Sequence, residues 1–570
     1  MKRTHRVTKN NAGMALLTAL IFISITVLVL TSMTARYVQQ RIQTDRFEDQ
    51  YVCFEAVEAA VQQGQKAINE GKTDFRIGIP ENWKPQFDEN NTFSLPDFEA
   101  EGITPAALVS NPEVEYVMYI HNWETDGRDT NGDGMVDSED EEGMFSVHAA
   151  ARMRNVTRSL EAVYDTRDFG IWNNAIFAGR GQAGLLINGN VKIHGSVHLL
   201  GDSLPEGAAA VQALDLSGSA MIRNDYVGIW PELEGRIPPL KPTEYNGESV
   251  TTLNTELRVR KGIVALSGTS HVGVEWAAGS GYKGPVDGTF VTDGFGGNQG
   301  TTNVHSDNGY DQPYDLGNEI SLPIFEDWYR EKDTGEFVHN PSTGTWYTHA
   351  EYFTEVLTGG PNRLPSGGTF TGDVVLDADK GGFYWNATTG EYETGPAVDT
   401  VSPAATDHYI LKKTTAPIVQ INGCIHIDGD LIFTGKKEQF SYFGRAALMV
   451  EGGVTVDTHL LSCNSPVDEN DYAASFPQTS CMGIMSRGQM DLGTVSQRML
   501  MGAFYSASTV TQSKQTQTMG TVVGRDFEMG NQVPDIFQVP VLAQNLPLGM
   551  IGDYPIFRTN LASWREEGVS

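Results

Sequence analysis

The sequence predicts a mainly β protein with one long N-terminal helix, a small β domain and then a parallel β-helix, or solenoid. Three observations predict it. An apolar N-terminal run passes without a break into a run of helical period. From Asp168 onward, apolar and polar residues alternate between Gly and Asn-Gly breaks. The 61 glycines are spread along the chain, which favours many tight turns.

The 570 residues allow roughly two to four domains. With 40% hydrophobic and 20% charged residues, the composition excludes a disordered chain. The formal charge of −32 repels phosphate backbones, so no nucleic-acid partner is expected. Such a surface serves solubility or gathers cations.

The first element is the helix. Lys2, Arg3, His5, Arg6 and Lys9 carry no acid among them, and Gly13 follows. Met14 to Met33 is an uncharged apolar run of about 20 residues, which at ~1.5 Å rise spans a ~30 Å hydrocarbon core. The basic flank stays cytoplasmic and places everything after Arg36 outside. The small residues Thr31, Ser32, Thr34 and Ala35 leave conventional signal cleavage as an alternative. The following residues argue against it. Residues 36–72 lack proline, and Val38, Ile42, Phe47, Tyr51, Phe54, Val57, Val61 and Ile68 recur at helical spacing. The expected division is therefore 1–13 as a leader and 14–72 as one continuous helix.

Gly13-Met14-Ala15-Leu16-Leu17, and later Phe54-Glu55-Ala56-Val57-Glu58-Ala59-Ala60, resemble a type IV prepilin, in particular the PilX-like minor pilins. The resemblance covers about the first 70 residues and extends loosely to the Gly-rich region. It implies a pilin-like helix, cleavage between Gly13 and Met14 by a prepilin peptidase, and an N-methylated Met14. It implies partners among other pilins and the pilus assembly machinery. It also implies a place in the bacterial inner membrane through one N-terminal span, then in a pilus or at the cell surface. One residue departs from the pattern. Major pilins carry Glu five residues into the mature chain, where this sequence has Thr18. A buried ammonium without a partner is costly, so a minor, initiating or tip position suits this subunit better than a repeating shaft.

Residues 73–167 read as a small β domain with strands near 113–123 and 144–164. Between them, DTNGDGMVDSED puts Asp129, Asn131, Asp133, Met135, Asp137 and Asp140 at positions 1, 3, 5, 7, 9 and 12 of a calcium-loop pattern. Gly134 supplies the sharp turn, and Met135 contributes its carbonyl. Ca2+ is the expected cofactor. The flanks read as strands rather than helices, and Asp140 is one carbon shorter than the usual Glu. The alternative is a merely polar turn.

Residues 168–570 read as the exported solenoid with insertions. The segments 424–433, 446–456, 482–492, 499–510 and 521–529 start 22, 36, 17 and 22 residues apart, which suits coils with inserted loops. A β-sandwich with many hairpins is the alternative. Cys463 and Cys481 flank a loop-like stretch, so an exported domain would accommodate a disulfide there; two buried thiols are the alternative. Trp328, Tyr329, Trp346, Tyr347, Tyr352 and Phe353 form either a platform for a surface glycan or protein ligand, or a seal between an insertion and its scaffold. His194 and His198, on one predicted strand, lack an identifiable third metal ligand. No hydrolase, P-loop, zincin or dinucleotide fingerprint appears in a supporting context, so no enzyme is expected.

The function expected is a minor pilin-like subunit exposing a large binding or adhesion domain. The alternative is a membrane-anchored adhesin or polysaccharide-active β-helix protein outside any filament. The loop at 129–140 makes its own prediction. Its clustered carboxylates repel one another until a cation binds. Calcium at about 100 times its dissociation constant should stabilise the loop by roughly 2.7 kcal/mol. Differential scanning calorimetry of the full chain should show this gain. Asp129→Ala with Asp133→Ala should abolish it, and magnesium should substitute poorly.

Overall fold

The computed structural model describes residues 11–567 except 70–71, 73–74, 81–82, 84–85, 88–92, 124–143, 169, 183–190, 205–211, 292–300, 308–319, 333–335, 359–368, 379–382, 387–390, 395–411, 414–417, 436–438, 530–533 and 555–556. The described chain is mainly β with one long N-terminal helix. It divides into two units, Met1–Arg167 with Phe557–Ser570, and Asp168–Ile556.

The first unit is built on the helix Asn11–Asn69. Its apolar half is uncovered: Leu16, Phe22, Leu28 and Met33 are all exposed. In this half Thr18, Ser24, Thr26, Thr31 and Thr34 each donate their hydroxyl to the carbonyl four residues back. The helix therefore satisfies these polar groups itself, as a segment in hydrocarbon must. The second half has one buried stripe of Cys53, Ala56, Val57, Ala60, Val61, Ala67 and Ile68. Small residues in the stripe let a sheet approach closely. A Cβ on Gly64 would sit 2.5 Å from Val147 Cγ1.

That sheet runs in the order Arg76–Ile77, Asn111–Asn122, Met144–Met153, Val156–Asp168, Phe557–Glu567. The three central strands are antiparallel, with His121 opposite Ser146 and Val147 opposite Ala162. Val114, Met118, Ile120, Val147, Ala149, Leu160 and Ala162 join the helix stripe in one core. The turn after Met153 places Arg154 at φ 55°, and its guanidinium donates to Asp49 Oδ1 of the helix at 3.0 Å. The tip of this hairpin is thereby tied back to the helix.

The sequence reading assigned 557–570 to the exported domain. The structure instead puts strand Phe557–Glu567 beside Val156–Asp168 in the first unit's sheet. Arg565 forms an ion pair there with Glu161. In chain order, the second unit is an insertion between two neighbouring strands of the first.

Within the second unit, strands pair in long parallel ladders. One ladder runs Ile425, Leu448, Ile484, Phe504, Val522, Ile176, Val197, Leu257, with each residue opposite the next. All eight side chains are buried. A second ladder links Leu431, Val454, Met490, Val510 and Phe527. The segments read as strands at 424–433, 446–456, 482–492, 499–510 and 521–529 all contain these rungs. Glycine serves at the tight corners. Gly444 has φ 107°, and a Cβ there would meet Ile421 O at 2.2 Å.

The order of rungs differs from the order of the chain. The first strand of the unit, Ile176–Gln182, lies inside the ladder rather than at its end. The chain leaves it through Val197–Leu199 and Glu256–Val259 to Gly288–Val291. It rejoins at the opposite end with Thr369–Thr371 and climbs to Thr516–Glu528, which pairs with Ile176–Gln182. The two ends of the unit are thus brought together: Trp172 Nε1 donates to Ile551 O at 2.9 Å. A linear stack would hold its ends far apart and could not be inserted into a hairpin. This arrangement predicts that Asp168 joined to Phe557 through Asn-Gly leaves a folded first unit. Its melting transition, followed by circular dichroism in detergent, should lie close to the corresponding transition of the full chain; aggregation or loss of cooperativity would contradict the insertion.

Candidate functional site

Two surfaces expose large apolar side chains among the described residues. The first is the apolar half of the helix. Among the described residues it is the one helix long and apolar enough to cross a membrane. Gly13 and Met14, the predicted cleavage pair, lie within the same helix. Thr18 bonds its hydroxyl to Met14 O within one turn and presents no carboxylate.

The second surface lies on the insertion 320–357 in the second unit. Three short strands meet in a triangle. Tyr329 N donates to Tyr347 O at 2.8 Å, Tyr347 N to Val338 O at 2.9 Å and Val338 N to Tyr329 O at 3.2 Å. Directly opposed residues share a face, and neighbours along a strand alternate faces. Trp328 opposes Thr348, Arg330 opposes Phe337, and His339 opposes Trp346. These six side chains therefore share one face, while Tyr329, Val338 and Tyr347 point to the other.

Burial follows this division. Trp328 is 48% exposed, Trp346 41% and Phe337 39%, whereas Tyr329 and Tyr347 are buried. On the exposed face the Phe337 and Trp346 rings lie 5.9 Å apart, and His339 meets Trp346 edge-on at 5.6 Å. The Arg330 guanidinium lies 4.4 Å from the Phe337 ring centroid and 5.4 Å from that of Tyr554.

The inner side is fastened to the ladder. Tyr329 stacks on Tyr352 at 3.8 Å, and Tyr505 donates its hydroxyl to Pro323 O at 2.6 Å. Thr348 and Glu351 form a reciprocal capping box that starts the short helix His349–Glu351. Behind it, the π-helix Tyr352–Leu357 buries Phe353 and Leu357. Of the six aromatics singled out in the sequence, Tyr329, Tyr347 and Phe353 are seals, Tyr352 is half-buried against them, and Trp328 and Trp346 face outward. Arg330, Phe337 and His339 were missed. Their signal was a period-two alternation in Trp328-Tyr329-Arg330, Phe337-Val338-His339 and Trp346-Tyr347-Thr348.

The remaining predicted sites fare differently. Asp129, Asn131, Asp133, Met135, Asp137 and Asp140 lie outside the described residues. Cys463 and Cys481 are free thiols, so the expected disulfide is not formed. Cys463 N bonds to Tyr442 O and Cys481 N to Gly444 O, which puts the cysteines on opposite sides of the Gly444 corner. The Cys463 thiol donates instead to the carbonyls of Tyr442 and Ser465. Burial pushes both thiols up to about 12, which keeps them protonated.

His194 and His198 fall on two strands separated by Gly195 and Ser196, not on one. His194 bonds to Asp225 O at 2.6 Å and stacks on Phe537, while His198 packs edge-on against Phe177. Among the described residues, no group of three or more His, Cys, Asp or Glu is placed to hold a metal ion.

No family model matches the sequence, and no curated protein matches it. Among solved structures, the crystal structure of the competence-associated pilin ComZ from Thermus thermophilus aligns with 91% of this chain and 97% of its own. The identity is 16% and the TM-score 0.44. At those values the likeness carries no inference by itself.

His349, beneath the aromatic face, yields a pH prediction. Burial lowers its pKa from 6.5 to about 4, outweighing the nearby carbonyls of Met550 and Gly549. The ring is therefore neutral in the folded protein while the unfolded chain takes up a proton near pH 6.5. Its contribution to stability is full above pH 6.5 and is lost as the pH falls towards 4. Calorimetry between pH 7 and pH 5 should show the second unit losing stability. His349→Phe should flatten that loss, even if it lowers stability at pH 7.

Proposed function

We propose that this chain is a minor, pilin-like subunit of a type IV pilus or related filament, carrying a large binding domain outside the membrane. One observation carries the reading. A single helix joins an exposed apolar half, opening near Gly13-Met14, to a half whose small-residue stripe packs on an antiparallel sheet. Such a helix suits lipid before assembly and packing against other apolar helices afterwards, so other pilins and the assembly machinery are its partners. Loss of Gly13 and everything before it frees Met14 as the new terminus.

Thr18 supports a minor place. Its hydroxyl is already engaged by Met14 O and offers no charge to a neighbouring ammonium. The bulk of the second unit points the same way, since a shaft of such subunits would be crowded. A tip or initiating position accommodates both features. We read the parallel ladders as the coils of a solenoid and the second unit as a binding rather than a catalytic body. Calcium at Asp129–Asp140 belongs to the same proposal.

Intact-protein mass spectrometry tests the reading. The mature chain should lack residues 1–13 and carry a methyl group on Met14. Gly13→Leu should retain the leader and prevent entry into filaments. A mature terminus at Met1 or near Ala35 would refute the pilin reading. A chain abundant enough to form the shaft would refute the minor assignment alone.

A further inference from the structure

We propose that the exposed face of Trp328, Arg330, Phe337, His339, Trp346 and Thr348 binds a neutral polysaccharide, with pyranose rings stacked on the indoles. The inference rests on the reading of the second unit as a binding domain displayed outside the membrane, and gives that domain a ligand class.

The face is preformed. The three inward residues Tyr329, Val338 and Tyr347 are locked by the cyclic set of backbone hydrogen bonds, and Tyr352 stacks beneath them. Ordering a flexible surface would cost affinity; here the order exists before binding. The aromatic rings offer flat apolar surface beside water. A pyranose presents a matching C–H face, with hydroxyls around its edge.

Edge hydroxyls need donors and acceptors around the rings. Arg330 and Thr348 stand among the aromatics, and Asp327 and Glu336 flank them in the chain. The Arg330 guanidinium is held by the Phe337 and Tyr554 rings, and among the described residues no hydrogen bond engages it. The same holds for the indole nitrogens of Trp328 and Trp346. Among the described residues these donors therefore have no hydrogen-bond partner.

Size and charge select among ligands. A stable protein interface takes roughly 800 Å2 and about 20 to 30 residues from each partner. Six side chains fall well short of that and suit one or two sugar rings. The net charge of −32 disfavours polyanions, whether nucleic acid or uronate polymer. A neutral glycan meets neither objection.

The test uses the full chain in a detergent without a sugar head group. Native affinity electrophoresis is run in gels containing dextran, mannan or hydroxyethyl cellulose, with alginate gels and a duplex DNA mobility shift as comparisons. At least one neutral polymer should retard the protein. Trp328→Ala and Trp346→Ala should each weaken that retardation about tenfold. Val467→Ala, exposed elsewhere in the second unit, should leave it unchanged. Matched thermal melts establish that the variants fold. No retardation by any of the three neutral polymers overturns the proposal. So does binding confined to alginate or DNA, or retardation that survives both tryptophan changes. The mature terminus and filament fraction of the same variants are measured in parallel. Normal processing without glycan binding defeats this inference alone, while an unprocessed Gly13 defeats the pilin reading.

Discussion

The pairing of Thr516–Glu528 with Ile176–Gln182 is the contact on which the second unit depends. It sets Val522 against Ile176 and Gly524 against Ala178, joining strands more than 300 residues apart in the chain. Without it and the adjoining pairing of Asp535–Phe537 with Lys192–His194, the parallel ladder falls into two shorter stacks, each with a raw edge of unpaired backbone groups. With it, the halves share one column of aliphatic side chains. The same pairing draws the first and last residues of the unit together. That proximity lets a body of this size be inserted between neighbouring strands of another sheet. Topology and insertion are thus one solution: a stack entered at its middle has adjacent ends.

The helix obeys a different constraint. Its first half avoids charge and satisfies Thr18, Ser24, Thr26, Thr31 and Thr34 within the helix, because none of the described residues covers it. Its second half must carry small residues on one side, because the sheet comes close enough that Gly64 tolerates no Cβ. These demands do not conflict, since they fall on successive stretches of one rod. Charge follows the division. The first acid in the sequence is Asp45, beyond the apolar run, and all 72 Asp and Glu residues lie from there onward. The resulting surface repels its own kind and stays solvated, while the apolar run has only basic neighbours.

Much of this was legible in the sequence because it is local. Lack of proline from residue 14 to 72 and the spacing from Val38 to Ile68 marked the helix, which ends at Asn69. Alternation marked the strands at 424–433 and 446–456. What could not be read is which strands neighbour one another. Ile176 and Val197 carry the same inward pattern as Ile484 and Phe504, so alternation cannot show that the ladder starts in the middle. The return of Phe557–Glu567 was hidden for the same reason. A strand's pattern shows that it has a buried face, not whose sheet it joins. For the cysteines the structure holds the second of the two readings, buried free thiols, with the Cys463 and Cys481 backbones bonded to Tyr442 O and Gly444 O at one corner.

The aromatic face shows how a local rule can be present and still be overlooked. Read as a cluster, the aromatics of 324–357 pose a choice between seal and platform. Read with period two along three short strands, they are both. Tyr329 and Tyr347 close the insertion onto the ladder, and the residues on either side of them must then point to solvent. The buried tyrosines are what make the outward tryptophans a surface rather than a loose tip, because the triangle cannot turn over without exposing them. A seal of this kind is also a support, and the rigidity of the ladder below passes through Tyr505 and Tyr352 to the face above.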